Sequence, residues 1–361
     1  MSAAVASAFA RFAAVECPED PLYVAMCQLV AADPSLAAML HDAPPEQRRP
    51  NLWLAAIHDR LLERGPDEPL AAWYPSLGGT RLPDADLGPA VARFVAREDD
   101  ALRALCRTRA TQTNEIGRCA VLDPALREIA RRHGGRPLAL LDIGTSAGLN
   151  LGVDRYRYDH GGVCSGAAPD ADVPVIACEP VGPHRPPLGV PYTLAHRLGI
   201  DPEPVDVTDA RAVRWLRACL WPHDRVRAAR FDQAVALARH HRWPVRREAD
   251  CTAAIAPWLD TLPAGTVPVV FNSWVLAYFG AEALRRHDAM LTGLVRDRGA
   301  VWLSAEDRAL RVGPPAPEPP PPLRPGATAW TLVSRRPDGV MAECLAFSHP
   351  HGRHLEWRVP R

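Results

Sequence analysis

The chain has no lysine; all 42 of its basic residues are arginine. Schiff-base chemistry, a P-loop lysine on a phosphate and a Ser–Lys dyad are therefore excluded. It also has no excess of either charge, because 42 acidic residues cancel the arginines. That balance gives no bulk attraction to nucleic acid or to an anionic membrane, and neither is expected as a partner. The nine cysteines contain no C-x-x-C pair, which argues against a disulfide frame or a zinc site and for reduced thiols in a cytoplasmic protein. Long apolar runs are missing too. The Ala-rich segment from Met1 to Val15 is interrupted by Arg11 and lacks a basic leader, so no signal peptide and no membrane span are expected.

What is present divides into a helical N-terminal region, residues 1–115, and an α/β region, residues 116–361. Leu52, Ala55, Ile57, Leu61 and Leu62 form one apolar helix face, and Val91, Phe94, Val95, Leu102 and Leu105 another. Turn-rich connectors such as Tyr74-Pro75-Ser76-Leu77-Gly78-Gly79 lie between them. Asp123 and Pro124 read as the start of a further helix that stops at Gly134. Beyond residue 138 strands and helices alternate: strands at 138–143, within 192–207, at 245–247, 267–271 and 300–304, and helices near 210–220, 225–241, 252–260 and 281–296. Residues 156–179 read as an inserted hairpin and 313–326 as a proline-rich loop. Three alternating segments, Thr328–Ser334, Val340–Ser348 and His354–Val359, follow as antiparallel strands. The pattern predicts an α/β fold with a doubly wound, mostly parallel sheet of Rossmann-like methyltransferase type, finished by antiparallel strands.

The most informative stretch runs from Leu138 to Leu151, where an apolar strand ends in Asp142, then Gly144-Thr145-Ser146-Ala147-Gly148, then a segment read as a helix from about Ala147. Ligands of open α/β sheets bind at the carboxyl ends of the strands, where a helix N-terminus offers free amides. As Asp-x-Gly-x-Ser-x-Gly the turn resembles the first motif of S-adenosylmethionine-dependent methyltransferases. As G-x-S-x-G it also matches the nucleophile elbow of a serine hydrolase, with Ser146 followed by Asp307 and by His349, His351 or His354. No convincing strand precedes residue 138, which disfavours the elbow. A third reading is a non-catalytic nucleotide-binding module.

Three strings, Arg109–Arg118, Gly144–Leu151 and Asp154–Tyr158, together with Tyr74–Gly79 and Val269–Tyr278, resemble a bacterial family of unknown function, number 2332. The resemblance runs from about residue 17 to the end and implies a methyltransferase-like fold without an assigned reaction. In a methyl-donor site Asp142, Gly144, Ser146 and Gly148 would hold the methionine part of S-adenosylmethionine. Asp201 would take the ribose hydroxyls, with Asp206 and Glu179 behind it, and Asp250 the adenine unless it caps a helix. Asn272 and Ser273 end the strongest later strand and are candidates at the transferred methyl, with Glu115 as candidate general base. Gln112, Thr113, Asn114 and Arg118, on a segment that crosses the core, are candidates to close over a small-molecule or protein substrate, as are Arg155 and Tyr156. The histidines at 349, 351 and 354 read as a hairpin turn, and no metal is expected.

Overall fold

In the computed structural model residues 2–112, 114–169 and 171–360 are described. Two compact units emerge: Met1–Thr113 with Thr208–Phe231, and Asn114–Val207 with Asp232–Arg361. The helical unit opens with α1 (Ser2–Val15), α2 (Pro21–Ala32), α3 (Pro50–Arg64) and α4 (Leu87–Thr108). Prolines begin α2 and α3, where a missing N–H costs nothing, and the Asp20 carboxylate accepts from the Tyr23 amide to cap α2. The predicted apolar stripe of α4 is buried at Val91, Phe94, Val95 and Leu102 and half-buried at Leu105. Glu98 on the same helix is buried as well, held by Arg60 and Arg64 of α3.

The α/β unit starts with α5 (Cys119–Arg132) and β1 (Leu138–Ile143). Contrary to expectation, Asp123 and Pro124 do not open α5; the helix begins earlier and Pro124 lies inside it. Proline there removes the bond to the Ala120 carbonyl four residues back, and the His160 ring, Nε2 to oxygen 2.8 Å, replaces it. Asp123 instead pairs with Arg127 and accepts from the Tyr192 hydroxyl.

After β1 comes only a short 3-10 turn, Leu149–Gly152. The expected hairpin is a three-stranded sheet of β2 (Arg157–His160), β3 (Val163–Gly166) and β4 (Val175–Ala177), after which β5 (Glu179–Val181) joins the main sheet. β6 (Leu194–Asp201) follows, and the chain enters the helical unit with α6 (Ala210–Ala218). Residues 208–231 thus belong with the N-terminal helices rather than with the sheet. Asp59 of α3 pairs through both oxygens with Arg214, and Trp215 donates its ring N–H to the Ala110 carbonyl.

The chain returns along α7 (Arg225–His241) to β7 (Val245–Arg247), α8 (Ile255–Asp260), β8 (Val267–Ser273), α9 (Ala281–Arg298) and β9 (Val301–Asp307). It ends in an antiparallel meander, β10 (Thr328–Arg336), β11 (Gly339–Ser348) and β12 (His354–Trp357). The nine-stranded mixed sheet has the order β5-β12-β11-β10-β9-β8-β1-β6-β7. Five parallel strands, β7-β6-β1-β8-β9, form its doubly wound part. Odd-numbered Ala139, Leu141 and Ile143 of β1 pack under Ile255, Trp258, Leu291 and Val295 of α8 and α9. Even-numbered positions of β1, Asp142 among them, point to the opposite face.

Candidate functional site

The chain runs from β1 out to β6 and β7 on one side, then returns to β8 and β9 on the other. The carboxyl ends of β1 and β8 therefore flank the switch point, where a doubly wound sheet opens a crevice. Asp142 stands there, 1% exposed. Its Oδ2 accepts from the Thr145 hydroxyl at 2.7 Å, and the Asn150 side chain also bonds it. Burial, aided by the charge of Asp201, pushes Asp142 up to about 7; the bonds from Thr145 and Asn150 and the charge of Arg118 offset only part of this.

The segment before α5 lies across this edge. Glu115 is buried and its Oε1 accepts from the Gly117 amide at 2.7 Å, capping a 3-10 turn over Ile116–Arg118. Arg118, also buried, donates from Nε to the Pro350 carbonyl at 2.9 Å and from a terminal nitrogen to the carbonyl and hydroxyl of Ser273 at 3.4 and 3.3 Å. The Asn114 side-chain nitrogen Nδ2 is buried without a hydrogen-bond partner among the described residues. Cys119 donates to the Asn150 side chain, and burial followed by the nearby Asp142 raises its thiol well above the ordinary range. Asp142, Ser273, Glu115 and Arg118 are thus brought together from three separate stretches of sequence. Gln112 belongs to the helical unit, and Thr113 lies outside the described residues.

Other expected residues have different work. Because no helix follows Gly148, the turn closes on itself. Gly144 and Thr145 donate to the Ile200 carbonyl, Gly148 donates to the Thr145 carbonyl, and Ser146 donates to Asp201 Oδ2 at 2.8 Å. The other Asp201 oxygen takes the Glu203 amide. This acid reaches the site but acts as a clamp on the turn. Gly144 and Gly148 have φ of 68° and 70°, and the space beside them is filled: a side chain on Gly144 would lie 2.3 Å from Val275, one on Gly148 2.6 Å from Val245. Ser146 has φ 54°, a left-handed conformation rare outside glycine.

Asn272 is fully buried and both ends of its amide are tied inside the sheet, accepting from Trp302 at 2.7 Å and donating to Ser304 and Glu306, so it does not face a ligand. Tyr156 is likewise buried, donating to the Leu149 carbonyl, while Arg155 is exposed beside Asp154. Asp250 accepts from the Ala253 amide in the turn ahead of α8, whose N-cap is Ala254, and pairs with Arg286 at the surface; it holds that turn rather than capping the helix. Glu179 lies in β5 at the far edge of the sheet.

A group that composition and spacing did not reveal is Glu306 at the end of β9. It is 2% exposed; one oxygen accepts from Asn272 and from the Val275 and Leu276 amides, while Oε2 has no hydrogen-bond partner. Burial raises its carboxyl above the ordinary value. It sits on the α9 face, opposite Asp142, and fixes the turn in which Trp274 adopts φ 54°. The only sequence signal was an acid ending an apolar strand. A cavity of about 340 Å³ in the same unit lies elsewhere, between Glu128 and Arg131 of α5 and Trp357 of β12, and includes none of these residues.

The profile of a family described as uncharacterised proteins conserved in bacteria, DUF2332, matches residues 6–357. The chain belongs to this family. No curated protein and no solved structure matches it. Membership spans both units and thus the switch-point residues as well as the helical Tyr74–Gly79 turn. Among the described residues no group of His, Cys, Asp or Glu is placed to hold a metal ion, and no single helix is long and apolar enough to cross a membrane.

Proposed function

We propose that the switch-point site binds a cationic small molecule, S-adenosylmethionine, and that the protein passes its methyl group to a small molecule or protein side chain. The observation that carries this reading is the under-compensated charge around Asp142. Asp142 is buried at the strand end near the Asp201 carboxylate, and burial first, then that charge, hold its proton up to about pH 7 against the bonds from Thr145 and Asn150 and the charge of Arg118. A ligand bearing ammonium and sulfonium charges would supply what is missing, with Arg118 as the group for its carboxylate. The fit is one of charge rather than of the turn, whose Gly144, Thr145, Ser146 and Gly148 amides are spent internally and whose Gly144 is covered by Val275. Methyl transfer itself is an in-line displacement that asks the protein mainly for alignment.

Calorimetry with S-adenosylmethionine and S-adenosylhomocysteine tests the reading. A cationic ligand favours ionised Asp142, so affinity should rise between pH 5 and pH 8, with proton release at pH 7. The sulfonium ligand should bind more tightly than the neutral thioether, and Asp142→Asn should weaken it at least tenfold. Absence of binding at millimolar ligand, or equal affinity at both pH values, removes the proposal.

A further inference from the structure

The Tyr74–Gly79 turn holds a second chemical arrangement, entirely within the helical unit. His58 of α3 is 1% exposed. Its Nδ1 lies 3.1 Å from the Ala218 carbonyl at the end of α6, and its Nε2 lies 2.8 Å from the Ser76 hydroxyl. A carbonyl only accepts, so Nδ1 carries the ring proton. Nε2 is then the lone-pair nitrogen, and the Ser76 hydroxyl must donate to it. That is the relation of a serine nucleophile to its base, with the base oriented by a third group.

The surroundings hold the pair rigidly. Leu77 and Gly79 donate to the Tyr74 carbonyl and Gly78 to the Pro75 carbonyl, so the turn is internally bonded. A side chain at Gly79 would lie 2.3 Å from the Ala71 carbonyl, which restricts that position to glycine. The Tyr74 ring packs 5.4 Å from the His58 ring, and the adjacent Asp59–Arg214 pair fixes α3 against α6. Ser76 itself is half-buried and reachable from solvent.

We propose that Ser76 and His58 are a nucleophile and base that take an acyl group from activated donors, aryl esters or thioesters. Ser76 Oγ forms a bond to the acyl carbon as its proton passes to His58 Nε2. The C–O or C–S bond to the leaving group breaks, and the departing phenolate or thiolate takes that proton. Water then attacks the acyl-serine with His58 again as base, releasing the carboxylic acid and restoring Ser76. Donor class follows from the orienting group. A carbonyl brings no full negative charge to stabilise an imidazolium, burial lowers His58 to about 4, and Arg217 opposes protonation further. So weak a base suits leaving groups that depart with little help, not amides.

The test is fluorophosphonate labelling of the full chain, mapped by trypsin. Ser76 is the sole serine of the peptide spanning residues 65–81. The adduct should fall in that peptide, vanish in Ser76→Ala and persist in Ser146→Ala. Hydrolysis of p-nitrophenyl acetate should show an acyl burst and fall at least ~100-fold in Ser76→Ala. Its rate should hold from pH 8 to about 5, because His58 stays unprotonated there. An unlabelled 65–81 peptide in the wild type, an adduct in the peptide spanning residues 133–155 instead, or a pH profile that breaks between 6 and 7 overturns the assignment. The wild-type map decides without relying on the folding of any variant.

Discussion

Asp142 carries a measurable cost of its own. In the unfolded chain its carboxyl ionises near 3.8, whereas in the native protein burial holds the proton to about 7. Between those values the native state keeps a proton that the unfolded state has released, so stability falls as pH rises from about 4 to about 7. The loss is then complete above pH 7. A shift of this size corresponds to roughly 4 kcal/mol. Asp142→Asn, which never ionises, should melt at a similar temperature to wild type at pH 4 and at a higher one at pH 8. Thermal melts across that range check this, and an equal deficit at both ends would place the effect in packing. Charged side chains were the hardest to assign from the sequence because a carboxylate that binds a ligand and one that binds its own backbone look alike in one dimension. Asp201 and Asp250 both turned out to hold main-chain amides, and only the register of β6 and the start of α8 distinguish that from ligand binding.

At the level of elements, the turn after β1 is held closed by its neighbour after β8. Gly144→Ala would combine a left-handed φ of 68° with a contact of 2.3 Å to Val275, and should destabilise the protein by about 2–4 kcal/mol. Val275→Ala in the same chain should restore the part due to the methyl group and leave the backbone part. A double-mutant cycle in urea measures both; strict additivity would show that the two turns do not press on each other. Most parallel strands were legible because their cores are short apolar runs bounded by turn residues, as with residues 267–271. The helix expected from Ala147 was not formed, since Leu149–Gly152 completes only a 3-10 turn before Tyr156 and Tyr158 anchor the chain through their hydroxyls. Likewise the early start of α5 was hidden by Pro124, whose disruption is absorbed by a histidine 36 residues away in β2.

For the whole molecule, the chain crosses between its two units three times, at 113/114, 207/208 and 231/232. A fragment of residues 1–113 would lose α6, and with it the partners of His58, Asp59 and Ala110. It should show no cooperative thermal transition by circular dichroism; a sharp melt would mean that residues 208–231 are dispensable to the helical core. Sequence patterning located helix 210–220 well, but periodicity says nothing about which core an amphipathic helix serves. The large sheet, finally, stops in a three-residue strand on each side, β5 with Pro180 and β7 with Arg246 and Arg247. Neither rim offers a long uncharged ladder to a foreign strand, so chains can be concentrated without one sheet seeding growth onto the next.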